Sequence, residues 1–230
     1  VIRHIVINTY RMYRTRFKEE YGDLVICQDS ADPWRRSIFP NYKANRKKSQ
    51  AESELNWKEI FECLNKIKDE LKQYFPYRII DIDTAEADDV IATLVMNYSK
   101  EQKVLIISGD KDFIQLHAFQ NVVQYDPVRS KFITHSDPIA YRNEHVMRGD
   151  PGDGIPNVLS SDNCFVIGER QKPVTQKKLN VLLSGEPMPT DIARNYMRNK
   201  QLIDLTMIPK EVSDNILESY KNQENKKPTD

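Results

Sequence analysis

Four groups of carboxylates recur along this 230-residue chain: Asp29; Glu86, Asp88 and Asp89; Asp110 and Asp112 within Ser108-Gly109-Asp110-Lys111-Asp112; and Asp150 with Asp153. Two carboxylates about 4 Å apart repel by roughly 4 kcal/mol at an effective dielectric of about 20, so several brought together cannot all stay ionised without cations. Neither His nor Cys stands inside these groups. A donor set of hard oxygens favours Mg²⁺, with Mn²⁺ as a substitute. A pair of such ions serves phosphodiester hydrolysis, activating water on one side and stabilising the leaving oxygen on the other. Each group also has a plainer reading: acids in the first turn of a helix complement its dipole, and an Asp after a strand is commonly a turn or cap residue. The joint pattern and its order along the chain carry the argument.

Between Arg35 and Lys48 stand six cations (Arg35, Arg36, Lys43, Arg46, Lys47 and Lys48) and no acid, whereas five acids and no base occupy Asp81 to Asp89. That segregation suggests a polyanion held near metal ions. With Trp34, Phe39 and Tyr42 interleaved, the basic stretch reads as a phosphate-tracking loop with stacking side chains, although such a run is often only a solvated face. In Gly149-Asp150-Pro151-Gly152-Asp153-Gly154, the glycines would let backbone N–H groups approach a phosphate, and they would equally suit a turn between helices. Cys27, Cys63 and Cys164 read as packing residues, and none of His4, His117, His135 and His145 has a motif that assigns it a role.

The elements that must position these groups follow from periodicity. Ile2, Ile5, Val6, Tyr10, Tyr13 and Phe17 predict an amphipathic helix facing a core; with no N-cap and no initiating Met, the chain is expected to begin inside or just before a helix, with something upstream absent. Leu24 to Cys27 predicts a buried strand leading to Asp29. Asn56 and Glu59 form a capping-box pattern, and Ile60, Phe61, Leu64, Ile67, Leu71 and Tyr74 define a helix face that stops at Pro76. Tyr77 to Ile82 reads as a strand, Thr84 as an N-cap and Ala85 to Tyr98 as a helix. Val104 to Ser108 is a third strand, followed by a short helix through Ile114, and Val122 to Tyr125 is a fourth. Strands alternating with helices predict an α/β fold with a parallel sheet, whose ligands gather at the carboxyl ends of the strands, where the acids sit. From Ile139 helices take over, interrupted at Gly149 to Pro156, and a subdomain boundary is expected near Ser136. The tail from Asn222 to Asp230 is polar and Lys-rich, as in a frayed end or a cut linker.

Bulk properties narrow the class. The chain is long enough for one domain with a sizeable appendage or two small ones. With 34 basic and 34 acidic residues the formal net charge is zero, so distribution rather than total charge points to the partner. Three cysteines without CxxC spacing suggest neither a disulfide framework nor a zinc site, which fits a reducing cytoplasm. No apolar run approaches the roughly 18 residues of a membrane span, and no signal peptide is visible.

At these residues the sequence resembles the flap endonuclease (5′-nuclease) family, in its T-even bacteriophage branch. Tyr42-Lys43-Ala44-Asn45-Arg46 resembles the motif at the base of the family's arch, Glu86-Ala87-Asp88-Asp89 its helix motif, Ser108 to Asp112 its third motif, and Gly149 to Asp153 the start of a helix-three-turn-helix DNA clamp. The four motifs are in register, and the similarity runs to about Tyr220. The resemblance implies a PIN-like parallel sheet flanked by helices (residues 1–135) and a helical DNA-binding subdomain (136–230, its C-terminus truncated). By it, Asp29, Glu86, Asp88, Asp110 and Asp112 hold a first metal ion, while Asp89, Asp150 and Asp153 hold a second or its waters. Lys43 and Arg46 meet the scissile phosphate, and Arg35, Arg36, Tyr42, Lys47, Lys48, Gly149, Gly152 and Gly154 contact nucleic acid. Also implied are two Mg²⁺ ions and duplex DNA or RNA-DNA hybrids with 5′ ends or flaps as substrates, with single-strand binding protein and sliding clamp as partners of a monomeric protein. The family's first metal-ligand Asp sits on an N-terminal strand missing here, and Leu159-Ser160-Ser161-Asp162-Asn163 stands where a second glycine-rich turn usually follows. A non-catalytic nucleic-acid-binding module is the alternative; a haloacid dehalogenase phosphatase fits poorly, for want of an Asp-x-Asp motif on the first strand.

Overall fold

The computed structural model describes residues 2–46 and 53–223; Lys47, Lys48 and the tail from 224 onward lie outside the described residues. In chain order come α1 (Ile2–Tyr21), β1 (Val25–Cys27), α2 (Arg35–Ile38), a helical turn at 44–46, α3 (Trp57–Tyr74), β2 (Arg78–Ile80) and α4 (Ala87–Tyr98). Then follow β3 (Val104–Ile107), a 3-10 helix (Lys111–Ala118), β4 (Val122–Asp126), β5 (Lys131–Ile133), α5 (Pro138–Arg148), α6 (Gln176–Leu182), α7 (Thr190–Ile203) and α8 (Lys210–Asn222).

Strand β1 pairs in parallel with β2, Val25 opposite Arg78 and Cys27 opposite Ile80. Strand β3 pairs in parallel with β4. These pairings put the segments after β1, β2 and β3, with their acids, at carboxyl ends of strands, where parallel α/β sheets gather ligands. Antiparallel β5 was not expected. Its residues Lys131 and Phe132 are exposed, so no apolar alternation marks it; it follows β4 through a turn in which Asp126 accepts from the N–H groups of Val128 and Arg129, at 2.9 Å each. Among the described residues β1 and β3 share no hydrogen bond. A cavity of about 580 Å³ lies between them, lined by Leu24 to Cys27, Val104 to Ile107 and, from α1, Tyr10 and Tyr13.

Most expected elements form, with instructive differences at their ends. Glu59 N–H donates to Asn56 Oδ1 at 3.3 Å, the cap anticipated for α3. Only Ile67 and Leu71 of that helix face are buried, packing with Ile26, Tyr77 and Ile79, while Phe61, Leu64 and Tyr74 stay exposed. In α1 the apolar stripe is covered from Val6 onward, and Ile2 and Ile5 meet solvent. Helix α4 starts later than the sequence suggests. Thr84 is not its cap: residues 82–85 close a turn, with Ala85 N–H donating to Ile82 O at 3.0 Å, and Glu86 becomes the N-cap in a reciprocal box with Asp89.

The C-terminal helices do not stand apart from the sheet. Val212 and Ile216 of α8 join Trp34, Ile80, Ala85 and Val90 in one apolar cluster. Just past α8, the Gln223 amide accepts from Ile79 N–H at 2.9 Å and donates to Ile79 O at 3.0 Å, so one side chain satisfies both backbone groups of a β2 residue. Helices α5 and α7 close a second cluster in which Val146, Ile155, Leu202 and Ile203 surround Phe39 and Tyr42. Through that cluster the basic stretch and the Gly149 to Pro156 turn pack against each other. None of the helices among the described residues is long and apolar enough to cross a membrane.

Candidate metal centre

Asp88, Asp112, Asp150 and Asp153 line one small cavity, with Arg35 and Tyr42 in its wall. They arrive by three elements. Asp88 is in the first turn of α4, Asp112 in the first turn of the 3-10 helix, and Asp150 and Asp153 follow the Gly149 C-cap of α5. The short structures that carry them are self-braced: Asp110 N–H donates to Ser108 Oγ at 3.1 Å, Asp112 N–H to Asp110 Oδ1 at 3.0 Å, and Gly152 N–H to Asp150 Oδ1 at 2.8 Å. Asp29 accepts from Ala87 N–H at 2.8 Å, which ties the loop after β1 to the start of α4.

Crowding shows in the proton affinities. Burial first, and then the neighbouring Asp110 and Glu86, push the Asp88 carboxyl up to about 7. Asp112 rises to about 8, through burial and then Asp110, Asp150, Asp88 and Asp153. Asp153 is also raised by burial, although Lys43 and Arg46 pull the other way. Without a cation, acids so placed share protons; a divalent ion relieves the repulsion instead. An all-oxygen carboxylate cluster fits a hard divalent cation.

Two of the expected metal ligands have other partners. Asp89 is fully buried, receives Glu86 N–H at 2.9 Å and Trp34 Nε1–H at 3.0 Å, and is ion-paired with Arg35 Nη2 at 2.8 Å. It therefore serves the helix cap and the ion pair, whereas the expectation set it around a second ion. Glu86 accepts from Arg35 Nη1 and from Tyr42 Oη, both at 2.9 Å, and from Lys43 Nζ. Burial raises its pKa, but Lys43 and Arg35 outweigh burial and hold it below the ordinary carboxylate range. Glu86 thus meets the cavity only through the cations around it.

Several residues expected to contact nucleic acid have partners within the protein. Arg35 is 2% exposed, its guanidinium divided between Glu86, Asp89 and Leu202 O, so it neutralises interior acids. Trp34, Phe39 and Tyr42 are core residues: the first two cap the ends of α2 and the third lies in the turn after it, so the spacing that looked like stacking positions marks packing positions. Tyr42 Oη bridges Glu86 and Asp153 Oδ2, the latter at 3.0 Å. The glycine N–H groups are spent internally: Gly149 on His145 O, Gly152 on Asp150 Oδ1 and Gly154 on Pro151 O. Gly149 and Gly154 serve close packing in a left-handed conformation, at φ 68° and 72°. A Cβ on Gly149 would lie 2.4 Å from Ile155 O, and one on Gly154 2.8 Å from Asn45 Oδ1.

Lys43 and Arg46 meet Asp153, one of the acids lining the cavity. Lys43 has φ 56°, a conformation a non-glycine residue adopts under constraint, and its N–H donates to Asp153 O at 2.8 Å. Its ammonium pairs with Glu86 and lies 3.7 Å from Asp153 Oδ2, while Arg46 Nη2 donates to Asp153 Oδ1 at 2.6 Å and is more exposed. Arg36 is near the surface on Asp32 and Ala31 O. Sequence reasoning missed His145, which α5 places between Asp112 and Asp150: Nδ1 is 3.4 Å from Asp112 Oδ1 and Nε2 is 3.9 Å from Asp150 Oδ2. A histidine five residues ahead of an Asp across a glycine C-cap is the only signal the sequence offered. Asp81, by contrast, belongs elsewhere: burial would raise it, yet Lys72 and Lys68 hold it below its usual range.

Comparison with known proteins identifies the family and the fold. The family model of the 5′-3′ exonuclease N-terminal, resolvase-like domain matches residues 3–147. The chain is 36% identical over 234 residues to ribonuclease H of Enterobacteria phage T4, spanning 96% of this chain and 77% of that protein. It is 30% identical over 134 residues to flap endonuclease Xni of Shewanella sp. (strain MR-4), covering 54% of this chain and 48% of the relative. The chain thus spans about half the length of such bacterial relatives. Among solved structures, a bacteriophage T5 protein co-crystallised with metal ions shares the fold with a TM-score of 0.71 at 17% identity, over 97% of this chain and 93% of that one. The T5 flap endonuclease in a complex with DNA and metal ions gives 0.70 at 18% identity, over 97% and 91%.

Proposed function

The chain belongs to the 5′-3′ exonuclease family through its resolvase-like domain, and from that premise we propose that it is a Mg²⁺-dependent, structure-specific 5′-to-3′ exonuclease and flap endonuclease that removes RNA primers and 5′ flaps in DNA replication. One observation carries the reading: four carboxylates from three elements share a cavity where two of them are driven to about 7 and about 8, a charge arrangement that calls for cations beside a phosphate diester. Asp88, Asp110, Asp112, Asp150 and Asp153 would hold two ions, with Asp29 and Glu86 at the margin. Bound there, Mg²⁺ or Mn²⁺ supplies the Lewis acidity that activates water and neutralises the leaving oxygen in phosphodiester hydrolysis.

The protein's own groups divide the remaining work. Lys43 and Arg46, now neutralising Glu86 and Asp153, are the cations a scissile phosphate would recruit, the first as a mobile point charge and the second as a fork. Tyr42 holds Glu86 and Asp153 in a fixed relation beneath them. Arg36, Lys47 and Lys48 contribute salt-dependent affinity for the backbone of DNA or an RNA-DNA hybrid. Residues 1–135 act as the nuclease core, with the cavity between β1 and β3 offering room for a further strand. Residues 136–230 act as a helix-three-turn-helix clamp whose last helix returns to that core.

The test is cleavage of a 5′-labelled flap and of a primer hybrid with and without Mg²⁺, by the chain and by its Asp110→Asn, Asp112→Asn double variant. Mg²⁺-dependent products from the first and none from the second are expected. Substrate binding without cleavage by either protein would turn the reading toward a binding module.

A further inference from the structure

His145 has no place in the carboxylate scheme, yet its ring lies inside it. It sits in the last turn of α5, where its carbonyl accepts Gly149 N–H at 2.9 Å, and its ring meets Tyr141 edge-on with centroids 6.1 Å apart. Backbone and ring are therefore held. Nδ1 is buried and has no hydrogen-bond partner among the described residues, although Asp112 Oδ1 is only 3.4 Å away; the angle is wrong for a hydrogen bond. Nε2 is 3.9 Å from Asp150 Oδ2, too far for one. A buried polar atom left unpaired in this way needs an explanation such as an ion.

The separation of Nδ1 from Asp112 Oδ1 suits two ligands on one ion. Donors about 2.1 Å from a cation stand roughly 3.0 Å apart in cis octahedral positions, roughly 3.4 Å apart at the tetrahedral angle and roughly 4.2 Å apart across it. One donor atom each from Asp112, His145 and Asp150 lie within 4.8 Å of one another. Asp112 is fixed by its N–H bond to Asp110, and Asp150 by accepting Gly152 N–H.

We propose that His145 is a nitrogen ligand of the cation position shared by Asp112 and Asp150, giving it a mixed nitrogen and oxygen donor set that takes Mn²⁺, Co²⁺ or Zn²⁺ in preference to Mg²⁺. This rests on the reading that the carboxylates hold cations and adds to it a chemical difference between the two positions. The position built on Asp88 and Asp110 has oxygen donors only and suits Mg²⁺. The one beside His145 follows the preference of imidazole for borderline transition ions.

The experiment is pulsed electron paramagnetic resonance of Mn²⁺ added to the full chain, read for ¹⁴N modulation, with Mn²⁺ and Mg²⁺ affinities measured by titration calorimetry and repeated on His145→Gln. Expected are nitrogen modulation in the unaltered chain, its loss in the variant, and a fall in Mn²⁺ affinity of at least about tenfold with a much smaller fall for Mg²⁺. Mn²⁺ bound without nitrogen modulation overturns the assignment of His145 and leaves the carboxylate centre standing. Modulation that persists in His145→Gln assigns the nitrogen elsewhere and also overturns it. Absence of any Mn²⁺ binding removes both this inference and the metal reading beneath it. Should the variant fail to fold, the spectrum of the unaltered chain still decides.

Discussion

Glu86, Asp88 and Asp89 occupy consecutive corners of one helix start, yet they belong to opposite electrostatic regions. Glu86 and Asp89 face inward to Arg35, Lys43, Tyr42 and Trp34, and every charge there has a counter-charge within about 3 Å. Asp88 faces the other way, into the cavity with Asp112, Asp150 and Asp153, where like charges outnumber cations. The first region is a closed structural ion cluster; the second is open by one or more positive charges. Acid type and position in the sequence are nearly the same, so the difference teaches that function here resides in the missing counter-charge.

Breaking the closed region should have the largest effect on folding. Arg35→Met leaves Asp89 buried without its partner and is expected to cost about 3–5 kcal/mol in chemical denaturation. A loss below about 1 kcal/mol would show that the two regions are electrostatically alike and sink the comparison. In the open region the same operation on an acid should act oppositely: Asp112→Asn is expected to lower metal-dependent cleavage by at least about 10²-fold while raising the melting temperature of the metal-free chain. Loss of both activity and stability would place Asp112 in the closed class.

A pH series sharpens the contrast. Asp88 and Asp112 keep their protons in the folded chain to about 7 and about 8, whereas their ordinary value is 3.8. Between those limits the folded chain binds more protons than the unfolded one, so the unfolding free energy falls as pH rises. Stability from these groups is complete below about pH 4 and is lost through about pH 8, by an amount on the order of a few kcal/mol. Thermal melts of the metal-free chain should therefore decline over that window, and Mg²⁺ should restore the loss at pH 8 with little effect at pH 5. A flat profile would remove the crowding argument.

Lys43 stands on the border between the regions and should show the smallest effect. Lys43→Ala is expected to slow flap cleavage about tenfold while changing duplex affinity far less, a separation that cleavage kinetics and a binding titration can read side by side. Equal losses in both would reduce Lys43 to a general electrostatic contact.

The chemistry of the acids was legible in the sequence because it depends on residue type and on strand-helix alternation, both local. The pattern placed Asp29, Glu86 and Asp110 after successive strands, and the structure puts them there. It did not say which carboxylate oxygen faces a cation. Whether Asp89 is a metal ligand or an interior ion-pair partner depends on Arg35, 54 residues away along the chain and in contact only after folding. The buried aromatics between the basic residues were misread for the same reason: an alternation of apolar and charged residues looks alike whether its apolar side meets bases or α5 and α7.

What the sequence determined by itself is therefore the fold class, the oxygen-donor chemistry and the approximate place of the site, since propensity and spacing act over a few residues. Tertiary structure alone decided which acids are neutralised, that Gly149 and Gly154 sit in close packing, and that His145 stands between Asp112 and Asp150. Those outcomes depend on distances of 3–4 Å between segments far apart in the chain, and Coulombic and hydrogen-bond energies change most steeply at that range.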